Sequence, residues 1–212
     1  CVFRSTATAL AFGLLAFLVA AGACARLDQW GVDHLMPGAH VAQAKGSLVE
    51  GLVPLLGAHW NGALSVAANV VTLPASFLIA VAIVAWRSRT LALALVAAVA
   101  VEVICKETIV RPKLFSGARH IAAFDSSFPS GHTLRTVIVA AALAPLVGVW
   151  AIVWALASIV LLQLAGWHTP TDIAGGLLLG ALVLLCFRGA GALRARGLRA
   201  GRLGARGARP RL

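Results

Sequence analysis

Long apolar runs recur along the 212-residue chain and limit its possible folds more than any other feature. Each run approaches the roughly 20 apolar residues that an α-helix needs to cross a bilayer. Only 12% of the residues are charged, whereas charged residues make up about 25% of an ordinary soluble domain. The sequence therefore predicts an all-α, polytopic membrane protein.

Six runs have the length of a membrane span, and we predict that they form a six-helix bundle within residues 1–187. The first run is longer than the apolar core of a signal peptide, so we interpret it as a retained span. Pro74 is expected to kink the second span. The predicted spans cover residues 6–25, 63–86, 91–110, 131–146, 149–166 and 171–187.

The net charge of +11 is concentrated at the C-terminal end of the chain. Eight of the 18 Lys and Arg residues are arginines from Arg188 onward, in a basic tail over residues 188–212 that we expect to be disordered. Such a tail directly after a membrane span is typical of a cytoplasmic anchor to anionic lipid headgroups. The expected partners are therefore membrane lipids rather than nucleic acid.

Basic residues in the short loops predict the orientation in the membrane. If all six runs span, Arg4, the turn at residues 86–90 and the basic tail fall on one side, which the positive-inside rule makes cytoplasmic. Residues 26–61 and 111–129 then lie on the outer face of a plasma membrane, and both termini lie inside. Polar residues from three separate stretches are predicted to converge on the outer face, where we expect the active site.

The stretch Pro129-Ser130-Gly131-His132 is predicted to begin the fourth span at that face. Ser130 suits an N-cap, and the unpaired N–H groups of a first helical turn favour an anion such as phosphate. Gly131 permits close approach of the backbone to a ligand, and His132 titrates near neutral pH. An N-cap beside an unrelated histidine is the alternative interpretation.

A second polar corner precedes the sixth span. Thr169 followed by Pro170 predicts a helix start, and Asp172 lies at the position of a capping box. Capping alone would explain Asp172. Because His168 precedes it by one helical turn, the carboxylate can also hold one imidazole nitrogen and leave the other to attack.

Cationic side chains near the outer end of the third span complete a predicted phosphate site. Lys106 and Arg111 can neutralise the charge that spreads over phosphate oxygens in the transition state. Glu102 precedes Lys106 by one turn and is predicted to pair with it. One histidine would attack phosphorus and a second would protonate the departing oxygen, a chemistry that uses no metal and no cofactor.

Together these stretches resemble the type 2 phosphatidic acid phosphatase (PAP2) superfamily, a family of integral-membrane lipid phosphatases. The matching residues follow the family's order: Lys106 with Arg111-Pro112, then Pro129-Ser130-Gly131-His132, then His168 with Asp172. The resemblance implies that His168 is the nucleophile forming a phosphohistidine, oriented by Asp172, and that His132 is the general acid. It also implies that phosphate is bound by Lys106, Arg111, Ser130 and Gly131.

The first motif departs from the family pattern in its spacing. Four residues separate Lys106 from Arg111, where the family has six. The family's spacing falls on Lys113, which is therefore a further candidate for phosphate binding.

The third motif lacks an arginine. Its Ser-Arg pair falls on Leu161-Leu162 in this chain. Arg135, one turn after His132, and Arg119 in the preceding loop are the candidate replacements for phosphate binding. Snorkelling of Arg135 to the membrane interface is the alternative explanation of that residue.

The sequence thus predicts a metal-independent phosphatase acting on a lipid at the outer membrane face. The candidate substrates are a polyprenyl diphosphate, a polyprenyl-linked phosphosugar, phosphatidic acid and phosphatidylglycerophosphate, with a slight preference for a polyprenyl carrier. A phosphotransferase with the same intermediate and a catalytically silent phospholipid-binding protein are the alternatives, and the missing arginine favours the latter. A transporter fits less well, because its intramembrane charges should lie near the midplane.

Overall fold

The computed structural model describes residues 2–36, 74–164 and 166–187, and these residues are mostly helical, which confirms the all-α class. Seven α-helices occur within the described ranges: α1 (Val2–Ala20), α2 (Ala25–Leu35), α3 (Pro74–Arg87), α4 (Arg89–Thr108), α5 (Gly131–Val147), α6 (Val149–Leu164) and α7 (described over Pro170–Phe187). The loop between α4 and α5 carries a two-stranded antiparallel hairpin, β1 (Phe115–Ser116) with β2 (Arg119–His120), and a 3-10 helix (Ala122–Phe124).

The number of helices that can span a membrane differs from the prediction of six. By length and composition, two of the described helices qualify: α1 over Phe3–Ala20 and α7 over Pro170–Phe187. Helices α5 and α6 are apolar but have only 17 and 16 residues. Helix α4 has 20 residues, and its C-terminal turns carry two glutamates and a lysine.

Several predicted boundaries shift or lie outside the described residues. Helix α1 ends at Ala20 rather than at residue 25, because the chain turns at Gly22, whose φ of 75° favours glycine. The second predicted span is described only from Pro74, where α3 begins, so the kink at Pro74 stays a prediction. Residues 37–73 and the basic tail at 188–212 lie outside the described residues.

The main core forms where α3, α4, α5 and α7 meet. Its buried side chains are all aliphatic: Ala80, Val84, Leu91, Ala92, Leu95, Ala98, Leu134, Ile138, Val139, Ala142 and Leu179. Close approach of α7 to α5 depends on Gly176. A Cβ at that position would lie 2.5 Å from the carbonyl oxygen of Ser130 and 2.8 Å from Cβ of Thr133. Glycine therefore allows the start of α7 to lie directly beside the start of α5.

A smaller core holds α2 against the loop that follows α4. Its buried residues come from both segments: Val32, Met36, Leu114, Ile121 and Phe124. The Gln29 side-chain amide adds hydrogen bonds of 2.8 and 3.0 Å to the backbone of Phe115. Helix α2 also contacts the first turn of α7, since a Cβ at Gly31 would lie 2.6 Å from the ring of Pro170. The fold thereby brings α2 to the polar ends of α4, α5 and α7.

Candidate active site

Two histidines meet between the start of α5 and the corner before α7. His132 lies in the first turn of α5, and His168 precedes α7. Their ring centroids are 4.6 Å apart, and Nδ1 of His132 lies 2.5 Å from Nε2 of His168. Both rings are buried, and Trp167 packs edge-on against His132. The fold therefore brings together two imidazoles that are 36 residues apart in sequence.

Asp172 faces the other nitrogen of the His168 ring. Its Oδ2 lies 3.6 Å from Nδ1 of His168, which is an ion-pair distance rather than a hydrogen bond. A proton on Nδ1 would face this carboxylate and leave the lone pair of Nε2 directed at His132. The geometry thus distinguishes the two nitrogens of His168.

The same carboxylate also caps α7. Oδ2 of Asp172 accepts the backbone N–H of Thr169 at 3.0 Å and the hydroxyl of Ser127 at 2.6 Å. In return, the Asp172 N–H donates to Oγ1 of Thr169 at 3.3 Å, as in a capping box. The predicted cap is confirmed, and it coexists with the contact to His168.

Arg111 holds the second oxygen of Asp172. Its Nη2 lies 3.0 Å from Oδ1 of Asp172 and 3.4 Å from Oδ2 of Asp28. The guanidinium also donates to the hydroxyls of Thr169 and Thr171, each at 2.9 Å. Arg111 is buried among these groups and fixes the Asp172 carboxylate. Its predicted contact with phosphate stays a prediction.

Asp28 is a member of this network that the sequence analysis missed. Its carboxylate accepts the backbone N–H of Thr171 at 3.1 Å and the Thr171 hydroxyl at 2.7 Å, across 143 residues of sequence. Burial raises the pKa of the Asp28 carboxyl, and the neighbouring Arg111 guanidinium opposes that rise. No local spacing connects α2 with α7, so the sequence carried no signal for this pair.

The start of α5 is capped by Ser130, which confirms the predicted N-cap. The Ser130 hydroxyl accepts the N–H of Thr133 at 3.2 Å, and the Ser130 N–H donates to the carbonyl oxygen of Asp172 at 2.9 Å. The next residue, Gly131, packs directly against the carboxylate of Glu102, and a Cβ on Gly131 would overlap it. Glycine is therefore required here for close approach by a carboxylate.

Two cations share that carboxylate. Nζ of Lys106 lies 2.5 Å from Oε1 of Glu102, which confirms the predicted pair. Nη1 of Arg135 lies 3.4 Å from Oε2 of the same group. Arg135 is only 8% exposed, so snorkelling to an interface does not describe it. Lys106, Glu102 and Arg135 form a charged cluster beside Gly131.

The other candidate cations lie elsewhere. Lys113 and Arg119 are exposed on the loop after α4, so this structure does not gather them into the charged cluster. Leu162, at the position of the missing arginine, is buried and packs with Trp167. That position contributes apolar packing next to the histidines and no charge.

Comparisons with known proteins give no family for this chain. It matches no protein-family model, and searches of curated proteins and of solved structures return no match. The geometry of the site is therefore what indicates the function of this chain.

Proposed function

We propose that this protein is a membrane enzyme that releases phosphate from a lipid phosphate or diphosphate through a phosphohistidine, as in the PAP2 superfamily. The observation that carries the proposal is the arrangement around His168, with the Asp172 carboxylate at one imidazole nitrogen and His132 at the other. A nucleophile held by an orienting carboxylate is the arrangement that covalent catalysis needs.

In the proposed reaction, Nε2 of His168 attacks phosphorus and the bond from phosphorus to the lipid oxygen breaks. His132 donates a proton to that leaving oxygen, and Asp172 stabilises the imidazolium of His168. His132 then takes a proton from water, which attacks the phosphohistidine and releases inorganic phosphate. The histidines are in contact in this structure, so the phosphoryl group enters by separating their rings.

Positive charge next to the histidines supports a phosphate substrate. Lys106 and Arg135 lie beside Gly131, in the first turn of α5. Cations and backbone N–H groups in a buried site stabilise the charge of a phosphoryl group in its transition state. Ser130 contributes by fixing the start of α5, and Lys113 is a candidate for contact with the lipid headgroup from the loop.

The exposed surface supports a membrane setting. Large apolar side chains are more than two-thirds exposed on α1, α4 and α6, including Phe17, Leu93 and Trp150. Soluble monomers rarely expose such surfaces in contiguous patches. We therefore retain the six-span layout, a plasma membrane location, cytoplasmic termini and an outer-face site as parts of the proposal.

An apolar groove supports a lipid rather than a water-soluble ester. The groove has a volume of about 400 Å³ and lies between α4 and α7. Its lining includes Ala98, Val101, Leu179 and Val183, and Val101 is adjacent in sequence to Glu102. An acyl or prenyl chain in this groove would have its polar end close to the charged cluster.

A silent phospholipid-binding protein is the second candidate. Leu162 replaces the arginine of the third motif, and Arg111 is already neutralised by Asp28 and Asp172. Such a protein would bind a lipid phosphate without cleaving it.

The function is tested by phosphate release from lipid substrates by the purified protein in detergent. The panel contains a polyprenyl diphosphate, phosphatidic acid and phosphatidylglycerophosphate, each with and without EDTA. We expect release from at least one lipid and no loss with EDTA, because the proposed nucleophile is a side chain. Binding of all three without release would favour the silent binder. Inhibition by EDTA that a divalent metal reverses would contradict the metal-free reaction.

Arg135→Ala is expected to raise the KM for the cleaved lipid by about tenfold or more, because a charge-assisted contact to phosphate is lost. Arg135→Lys should restore part of the affinity. Arg119→Ala is the matched control, since Arg119 is an exposed arginine outside the cluster. An unchanged KM in Arg135→Ala would mean that Arg135 does not contact the substrate phosphate.

A further inference from the structure

A buried carboxylate lies among the groups that are expected to bind phosphate. Glu102 is 3% exposed and contacts three groups of the proposed phosphate site. Its oxygens contact Lys106 and Arg135, and its carboxylate packs on Gly131 at the start of α5. These are two cations and a helix N-terminus, the same features that bind a phosphate group.

An ordinary structural ion pair needs only one carboxylate and one cation. Here a single carboxylate satisfies two cations that come from different helices, α4 and α5. A carboxylate and a phosphate both offer negatively charged oxygens to such donors, and a phosphate monoester offers more charge and more oxygens. The Glu102 carboxylate therefore occupies the expected phosphate position and offers the same donors less charge and fewer oxygens than a phosphate would.

We propose that Glu102 is a resident competitor of the substrate: it pairs with Lys106 and Arg135 before the lipid phosphate enters, and the phosphate displaces it. The inference rests on the proposed function, because it assigns the displaced carboxylate to that phosphate site. Glu102 thereby neutralises the partly exposed Lys106 and the buried Arg135, which avoids the desolvation cost of leaving the Arg135 charge unpaired. As a consequence, each incoming phosphate has to displace the negatively charged Glu102 carboxylate.

The competing explanation is that Glu102 only positions the two cations for phosphate. The two explanations predict opposite effects of removing its charge. If Glu102 competes, Glu102→Gln removes its negative charge from Lys106 and Arg135 and tightens phosphate binding. If Glu102 instead positions the two cations, the same change disorders them and weakens phosphate binding.

The experiment is isothermal titration of detergent-purified protein with inorganic phosphate. We expect the Kd of Glu102→Gln to be lower than that of the wild type by about tenfold or more, since a like charge within contact distance is removed. Glu107→Gln is the matched control, because Glu107 is exposed on the same helix, and its Kd should equal that of the wild type. Equal or weaker phosphate binding by Glu102→Gln would overturn the proposal.

A second variant tests the proposal in case Glu102→Gln does not fold. Glu102→Asp retains the charge but draws the carboxylate back from Arg135, so it should compete less and lower the Kd by a smaller factor. Weaker or unchanged binding in Glu102→Asp would also contradict the proposal. Size-exclusion profiles of every variant show which ones are folded.

Phosphate release by the same wild-type preparation separates the two proposals. Release by the wild type together with weaker phosphate binding by Glu102→Gln would overturn the role of Glu102 and leave the phosphatase standing. Absence of release together with tighter binding by Glu102→Gln would leave Glu102 as the competitor at an anion site and contradict the phosphatase. Failure of every variant to bind phosphate would overturn the role of Glu102.

Discussion

His168→Ala is expected to reduce phosphate release by about a thousandfold or more, because the attacking nitrogen is removed and no covalent intermediate can form. The measurement is a rapid-quench experiment with a lipid carrying a labelled terminal phosphate. Wild-type protein should show a burst of labelled protein whose bond is stable in base and labile in acid. His168→Ala should show neither the burst nor the steady release.

Because His168 is buried, loss of packing has to be separated from loss of chemistry. His168→Gln fills more of the space with a polar side chain and should also be inactive while it remains folded. His34→Ala is the matched control, since His34 is an exposed histidine on α2. Labelling of folded His168→Ala at the wild-type level would exclude His168 as the nucleophile.

Asp172→Asn should lower both turnover and stability. The substitution preserves shape but removes the charge that faces Nδ1 of His168 and pairs with Arg111. By analogy with other orienting carboxylates, we expect kcat to fall by about a hundredfold to ten-thousandfold. Breaking a buried ion pair by removing one partner costs about 3–5 kcal/mol, so the thermal midpoint in detergent should fall as well.

The control for Asp172→Asn is Asp33→Asn, an exposed aspartate that accepts a hydrogen bond from Gln29 within α2. It should leave both kcat and the thermal midpoint unchanged. A lower thermal midpoint with normal kcat in Asp172→Asn would mean that Asp172 caps α7 and takes no part in turnover. A normal midpoint would contradict the buried ion pair with Arg111.

The sequence predicted those parts of the site that depend on neighbours within one helical turn. Ser130 at the start of α5, the reciprocal cap of Thr169 and Asp172, and the pair of Glu102 with Lys106 are all set by local backbone geometry. Such contacts repeat in any helix with the same residues at the same spacing, so they can be recognised without the fold.

The parts that the sequence did not predict depend on packing between distant segments. Asp28 reaches Thr171 and Arg111 only because α2 lies against the start of α7. The second partner of Glu102, Arg135, depends on how α4 crosses α5. Residue spacing along the chain predicts neither set of contacts, since each is determined by how the helices pack.

Among the described residues, two helices qualify as membrane spans by length and composition, fewer than the six predicted, and the reason is related. Apolar composition identifies runs of residues, but helix ends depend on local turns and polar groups. Gly22 ends α1 early, and Gly148 separates α5 from α6 after 17 residues. Two glutamates and a lysine near the end of α4 make that helix less apolar than a simple span.

Gly176 lets the two histidine-bearing segments pack backbone against backbone. The backbone of α7 lies so close to Ser130 and Thr133 that even a Cβ at Gly176 would overlap them, and such close packing resists displacement of one helix past the other. In the proposed reaction, we therefore expect the space for a phosphorus atom between the imidazoles to come from rotation about side-chain torsions, while the helices keep their register. Substrate entry would then be a local motion of two rings, and the alignment of His168 with the Asp172 carboxylate would survive each turnover without having to be rebuilt.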